Sequence, residues 1–322
     1  MKVDLATGAA VPALTAQEIL AEAPVLRTIC EVGVEDFSRL PGPHVTPAHM
    51  WRLARRVAAW LERPDVDGIV ITHGTDTIEE TAYFLDLVLL SEKPVVLVGA
   101  MRTISDPSWD GPANLTAAVR VAACPQARGH GALVVMDDHI WPAREVRKIH
   151  TESTGSFSAP EFGPVGVVDA GQVVFRRTAR PRPSWSDSAA ETGLRVARIE
   201  PRVELIQAYT GMTDQLIRAV MADGARGLAL VAFGRGNVPP AIVPVVEALV
   251  AGGALVTVSS RSIAGRVKPR YGYEGGGLKL QQAGAILAGD LSGASARLLQ
   301  MVALGFRSDV AGACEIIRRT CE

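Results

Sequence analysis

Thr75 and Asp76 stand side by side in the run Gly68–Ile69–Val70–Ile71–Thr72–His73–Gly74–Thr75–Asp76–Thr77. A threonine hydroxyl becomes a nucleophile once a base removes its proton, and an adjacent carboxylate can hold a cation. The run is apolar up to Ile71, then small and polar. A helical pattern follows in Ile78–Glu79–Glu80–Thr81–Ala82–Tyr83–Phe84. The pair is therefore expected at the C-terminal edge of a strand and the N-terminus of a helix. Unpaired N–H groups there hold anions and developing negative charge. In open α/β sheets the ligand crevice lies at such strand ends. Helix capping is the alternative, because Asp76 with Glu79, or Thr77 with Glu80, spells a capping box. The residue types leave both readings open.

The elements around this run alternate. Thr15 with Glu18 is a capping box opening a helix through about Glu22, and Thr46–Pro47 opens a second. On the second helix, Met50, Leu53, Val57 and Trp60 are expected to face the core and Arg52, Arg55 and Arg56 the solvent. Strands are expected at Gly68–Thr72, Val95–Val98 and Leu133–Met136, with helices at Ile78–Leu90 and Pro112–Ala123. Residues 176–200 break the rhythm with a prolyl, basic and serine-containing stretch that reads as a linker. Beyond it the expected order is strand Val203–Tyr209, helix Asp214–Ala222, strand Gly227–Phe233, helix Pro240–Val250 and strand Ala254–Ser259. Strand Ala285–Ala288 and helix Ala294–Leu304 close the pattern. The fold class is α/β in two domains. A larger, mostly parallel N-terminal sheet spans residues 1–175, and a smaller parallel-sheet domain spans 201–322.

Composition narrows the function. With 33 basic and 34 acidic residues in 322, the chain has no electrostatic footprint for nucleic acid or an anionic membrane. The most apolar region, Pro239–Val258, is interrupted by Pro244, Glu247, Gly252 and Gly253, so no membrane span is expected. Cys30, Cys124, Cys314 and Cys321 and the six histidines show no metal-ligand spacing, and the cysteines read as reduced thiols of a cytoplasmic protein. The Gly275–Gly277 run follows no strand and makes no dinucleotide fingerprint.

The chain resembles the bacterial-type L-asparaginase family of asparaginase/glutaminase amidohydrolases. The resemblance is carried by Thr72–Thr77 with Glu79–Ala82, Gly99–Arg102, Asp110–Leu115, Val134–Met136 running to Arg144–Lys148, Gly163–Pro164, Gly234–Asn237 and Ser259–Arg261. It implies hydrolysis of the side-chain amide of L-asparagine to aspartate and ammonia by threonine chemistry, with no metal or cofactor. By position, Thr75 resembles the second catalytic threonine, Lys148 its lysine partner, and Asp76 the carboxylate that holds the substrate α-ammonium. Lysine acts as a base where burial or a neighbouring cation lowers its pKa. A solvated basic loop is the alternative for Lys148, which sits among Arg144, Arg147 and His150. The resemblance adds Gly42, Gly74 and the Ala100 backbone as substrate contacts. Asn237 and Glu274 would reach a neighbouring subunit's substrate, although Gly-Arg-Gly-Asn is also ordinary turn chemistry. A homodimer or homotetramer with sites at subunit interfaces follows from the same resemblance.

The chain departs from the family pattern in three places. Family members begin with a short strand ending in Thr-Gly-Gly-Thr-Ile, whose leading threonine attacks. This chain begins Met1–Lys2–Val3–Asp4–Leu5–Ala6–Thr7–Gly8, and Thr7 is not assigned that role. The preferred expectation is a start at an internal methionine of a longer, working enzyme, with an exposed sheet edge where that strand would lie. Gly42 stands where a serine usually helps hold the substrate carboxylate, and no tyrosine precedes Tyr83 to close a loop over the site. Three functions follow: an L-asparaginase, an amidohydrolase of another small amide such as L-glutamine, or a catalytically impaired amino-acid-binding protein.

Overall fold

The computed structural model describes every residue except 4–6, 8, 12, 13, 181–183, 308 and 322. The chain divides into two units. The first is Met1–Arg182 with Thr192–Leu194; the second is Pro183–Glu191 with Arg195–Glu322.

The first unit opens with a small antiparallel pair, β1 (Lys2–Val3) and β2 (Ala10–Val11). Thr7 lies in the turn between them, and Gly8 lies outside the described residues. Helix α1 (Ala16–Ala21) starts on the expected Thr15–Glu18 capping box. Helix α2 (Pro47–Leu61) starts on Thr46 with proline in its first turn. Its buried face is Met50, Ala54, Val57, Ala58 and Leu61 rather than the stripe through Leu53 and Trp60. The reason is polar: the Trp60 indole N–H donates to Glu35 Oε2 at 2.6 Å, and Arg63 lies over its ring at 4.6 Å. A tryptophan whose N–H finds a carboxylate gains by staying at the surface.

The main sheet follows as β3 (Ile69–Thr72), α3 (Ile78–Val88), β4 (Val95–Val98), α4 (Gly111–Ala122), β5 (Ala132–Met136) and β6 (His139–Pro142). A side hairpin, β7 (Arg147–Lys148) with β8 (Phe157–Ser158), precedes β9 (Gly166–Asp169) and β10 (Gln172–Phe175). The sheet order is β10-β9-β6-β5-β4-β3. It is mixed rather than mostly parallel. The β3–β4–β5 side is parallel, and β5–β6, β6–β9 and β9–β10 are antiparallel. Two tight turns cause the reversal. Asp137 and Asp138 take φ of 52° and 56° between β5 and β6, and Ala170 and Gly171 take 48° and 79° between β9 and β10. A two-residue loop with both residues in the left-handed region joins antiparallel strands, and Asp tolerates it. Strands β4 and β5 are buried along their whole length, as central parallel strands are. Strand β3 is at the edge, and its apolar residues are only half-buried.

The stretch expected as a linker carries contacts of its own. Arg177 bridges Glu145 at 2.5 Å and donates to the Gly163 carbonyl at 2.6 Å. Leu194 pairs with Leu89 in a β-bridge of the first unit, and both side chains are buried.

In the second unit the strands are β11 (Val203–Gln207), β12 (Gly227–Ala232), β13 (Leu255–Ser260) and β14 (Ile286–Leu287), paired in that order and all parallel. The helices are α5 (Gln215–Ala222), α6 (Ile242–Ala251), α7 (Gly277–Gln282), α8 (Gly293–Phe306) and α9 (Val310–Cys321). The core gathers Ile206, Leu228, Leu230, Val256 and Val258 from the sheet with Ile217, Val245 and Leu280 from helices. Buried Gln300 on α8 crosses to the sheet, donating to Leu228 O at 3.0 Å and Thr257 Oγ1 at 2.6 Å. Among the described residues no helix is long and apolar enough to cross a membrane.

Candidate active site

The β3–α3 junction shows where the Thr77 and Asp76 side chains go. Thr77 is the N-cap residue of α3 by position, but its side chain makes no cap hydrogen bond. Its hydroxyl donates instead to the Gly42 carbonyl at 2.9 Å. Asp76 turns to Lys148, whose Nζ lies 2.6 Å from Asp76 Oδ1 and 2.9 Å from Thr75 Oγ1. The hydroxyl, carboxylate and amine that the sequence placed in two distant segments thus meet in one cluster.

Each member is held by an identifiable element. Thr75 and Asp76 ride on the turn that leaves β3, where the His73 N–H still pairs with Val98 O at 2.8 Å. The His73 ring spans the same turn, with Nδ1 2.8 Å from Gly74 O and Nε2 3.0 Å from Thr81 Oγ1. Facing a carbonyl, Nδ1 carries the proton and Nε2 accepts from Thr81. Burial lowers the pKa of His73, which keeps the ring neutral in this bridging form. Lys148 lies on β7, whose pairing with β8 fixes the strand. Its side chain is only 15% exposed, whereas that of Asp76 is 61% exposed. Among the described residues, Asp76 Oδ2 has no hydrogen-bond partner.

Three glycines let backbone approach backbone around the cluster. A Cβ on Gly74 would lie 2.8 Å from Gly42 N, so the Gly42 loop and the motif turn pack main chain to main chain. A Cβ on Gly99 would lie 2.8 Å from Thr75 Cγ2, which puts the strand end that leads to Ala100 against the Thr75 side chain. Gly42 itself is buried in a short 3₁₀ turn. The role of Gly99 is not legible in the sequence, because only the fold brings it to Thr75.

The loop after β4 has its own clamp. Asp110 accepts from Met101 N at 3.0 Å, Arg102 N at 2.9 Å and Asn114 Nδ2 at 2.9 Å. Buried Asn114 also donates to Gly99 O at 3.2 Å and accepts from Asp137 N at 3.0 Å. The Asp110–Leu115 motif is therefore a device that fixes the backbone on both sides of Ala100. Asp110→Ala removes three acceptor contacts and is expected to cost at least about 3 kcal/mol, since each lost hydrogen bond is worth about 1 kcal/mol and a charged acceptor more. Urea denaturation measures this directly, and a midpoint equal to wild type would contradict it.

Asn237 and Glu274 belong to the second unit. Asn237 Oδ1 accepts from Gly277 N at 3.2 Å, and its backbone closes a tight turn onto Phe233. Glu274 is exposed in the loop before α7.

Family models extend over both units. The asparaginase N-terminal domain matches residues 1–181, and the glutaminase/asparaginase C-terminal domain matches residues 202–316. The chain belongs to the asparaginase family. Among this family's members it is 43% identical over 269 residues to a probable L-asparaginase of Deinococcus radiodurans, covering 82% of this chain and 79% of that protein. It is 35% identical over 288 residues to a glutaminase-asparaginase of Pseudomonas fluorescens, covering 89% and 77%. Among solved asparaginase structures, a probable cytoplasmic L-asparaginase from Campylobacter jejuni aligns with a TM-score of 0.83 at 32% identity, over 93% of this chain and 92% of that one.

Proposed function

We propose that this asparaginase-family chain is an amidohydrolase that converts L-asparagine and water to L-aspartate and ammonia. The contact of Lys148 Nζ with both Thr75 Oγ1 and Asp76 Oδ1 carries this reading. As the Thr75 oxygen attacks the side-chain amide carbon, its proton passes to Lys148 Nζ, which hands one of its own to Asp76 Oδ1. A proton returned along the same path then serves the departing ammonia. Asp76 Oδ2 holds the substrate α-ammonium, and the Ala100 backbone orients the amide. Gly42 and Gly74 present main chain to the amino-acid end. Hydrolysis of the resulting ester by water returns Thr75. None of these steps calls for a metal or cofactor.

Names among the relatives support the substrate class, and those named glutaminase-asparaginase support L-glutamine as a second substrate. A cytoplasmic location agrees with the name of the Campylobacter relative. Asn237 and Glu274 are proposed to complete a neighbouring subunit's site, which requires a homodimer or homotetramer. The test of function is direct: purified protein is incubated with L-asparagine, and ammonia and aspartate are measured together. One-to-one release supports the reading. Binding of L-asparagine with no ammonia would make the chain an amino-acid binder instead.

Gly42 offers a test of specificity. A Cβ there would lie 3.2 Å from Thr77 Oγ1 and 3.4 Å from Gly74 O, so a side chain presses on the hydrogen bond that docks this loop. Gly42→Ala is expected to destabilise by about 1 kcal/mol. Gly42→Ser pays the same steric cost and adds a hydroxyl for the substrate carboxylate. Its KM for L-asparagine is expected to fall about fivefold relative to Gly42→Ala, the worth of one hydrogen bond. Equal KM values in the two variants would remove Gly42 from the substrate site.

A further inference from the structure

Lys148 is reached from two sides. Its Nζ is taken by Thr75 and Asp76, while its backbone N–H donates to Glu79 Oε2 at 2.5 Å. Glu79 stands in the first turn of α3, the helix that begins directly behind Thr75 and Asp76. One helix start therefore carries both the groups that receive the ammonium and the group that anchors the strand delivering it. The β7 ladder is only two residues long, paired through Arg147–Ser158 and Lys148–Phe157. The Ile149 N–H adds one bond to Ser156 O at 2.7 Å, and on so short a hairpin the Glu79 anchor helps to fix where Lys148 sits.

We propose that Glu79 is a positioning residue: its carboxylate holds the Lys148 backbone so that Nζ falls between Thr75 and Asp76, and protonation of that carboxylate releases the hold. The charged groups facing it are Arg147 and Lys148 from β7 and Glu80 from α3 itself. Burial raises the carboxyl of Glu79, and Glu80 adds to the rise. The Lys148 N–H and the two cations oppose it. A raised pKa moves the protonated form upward in pH from the ordinary carboxylate range. A neutral carboxyl accepts a hydrogen bond more weakly than a carboxylate does. The Lys148 anchor is then present above the Glu79 pKa and lost as pH falls through it.

The proposal rests on the amidohydrolase reading of the cluster, so one of its readouts needs no turnover. In a crystal structure of Glu79→Ala, Lys148 Nζ is expected to lie out of hydrogen-bonding range of Thr75 Oγ1. An unchanged contact would overturn the proposal. In assays with L-asparagine, Glu79→Ala is expected to lower kcat roughly tenfold to a hundredfold, the scale for misplacing a reacting group by about 1 Å, with KM within about twofold. Glu79→Gln keeps an oxygen acceptor in the same shape but cannot titrate. It is expected to recover most of the lost kcat and to stay flat with pH where wild type declines on the acid side. A Glu79→Ala kcat equal to wild type, or an acid decline in Glu79→Gln that matches wild type, would overturn the proposal. If wild type releases no ammonia from any amide, the amidohydrolase reading fails by itself. The position of Lys148 in Glu79→Ala and Glu79→Gln crystals then still decides the role of Glu79.

Discussion

Lys148→Met is expected to lower kcat/KM for L-asparagine by about 10³-fold, within the range that positioned proton-transfer groups contribute. Methionine matches the length and apolar stem of lysine but has no proton-accepting amine. Lys148 is nearly enclosed, so its stem packs and its tip alone is polar. The substitution therefore tests the tip. Thr75→Val, which keeps the branched shape without the hydroxyl, is expected to lose a comparable factor. The two groups touch at 2.9 Å, and in the proposed relay they act on one proton. Removing both should cost little more than removing either, because groups that work as a unit are strongly non-additive. Steady-state kinetics of the two single variants and the double variant check this. Losses that multiply would mean that Thr75 and Lys148 act on separate steps, and the relay would fail.

Asp76→Asn is expected to raise KM about 10²-fold with a smaller effect on kcat. That factor corresponds to about 2.7 kcal/mol, within the cost of removing one partner from a hydrogen-bonded charge pair. The substrate α-ammonium loses its carboxylate, while the amide end still meets Thr75 and Lys148. The stability of the protein should hardly change. Asp76 is mostly exposed, and an ion pair in that setting contributes about 0–1 kcal/mol. Titrating L-asparagine into the variant by calorimetry, beside a thermal melt, separates the two effects. A large fall in Tm with an unchanged KM would make Asp76 a structural partner of Lys148 and nothing more.

The two substitutions probe opposite ends of one cluster, and the physical contrast between those ends matters. Lys148 is sheltered and held through its backbone by Glu79. Asp76 is open to solvent and keeps one oxygen free among the described residues. A sheltered amine beside a hydroxyl suits proton transfer. An exposed carboxylate suits a ligand that arrives from water. The Asp110–Asn114 clamp and the glycine contacts at Gly74 and Gly99 hold the backbone between them.

Much of the fold was legible in the residues. The β3 and β4 runs are mostly β-branched and the β5 run is apolar throughout, and α1 and α2 carry their start signals in Thr15–Glu18 and Thr46–Pro47. Sequence order also put Thr75 and Asp76 at a strand end before a helix, as the structure has them. These features are local: periodicity and capping act over a few residues, so their signal lies in neighbouring letters. The buried face of α2 departs from its sequence stripe because Trp60 trades burial for a carboxylate partner 25 residues away. The antiparallel half of the first sheet has no strong local signal, because its turns Asp137–Asp138 and Ala170–Gly171 are unobtrusive.

What the sequence left open, tertiary contact decided. Asp76 and Thr77 read equally well as helix caps, and only the positions of Lys148 and Gly42 show where their side chains go. Gly99 and Glu79 gain their roles through neighbours 24 residues and 69 residues away, at Thr75 and Lys148. The residue types and their order determined which chemistry was available. The chain's folding determined which of those groups lie within reach of one another, because hydrogen bonding requires approach to about 3 Å and no local pattern encodes that distance between remote segments.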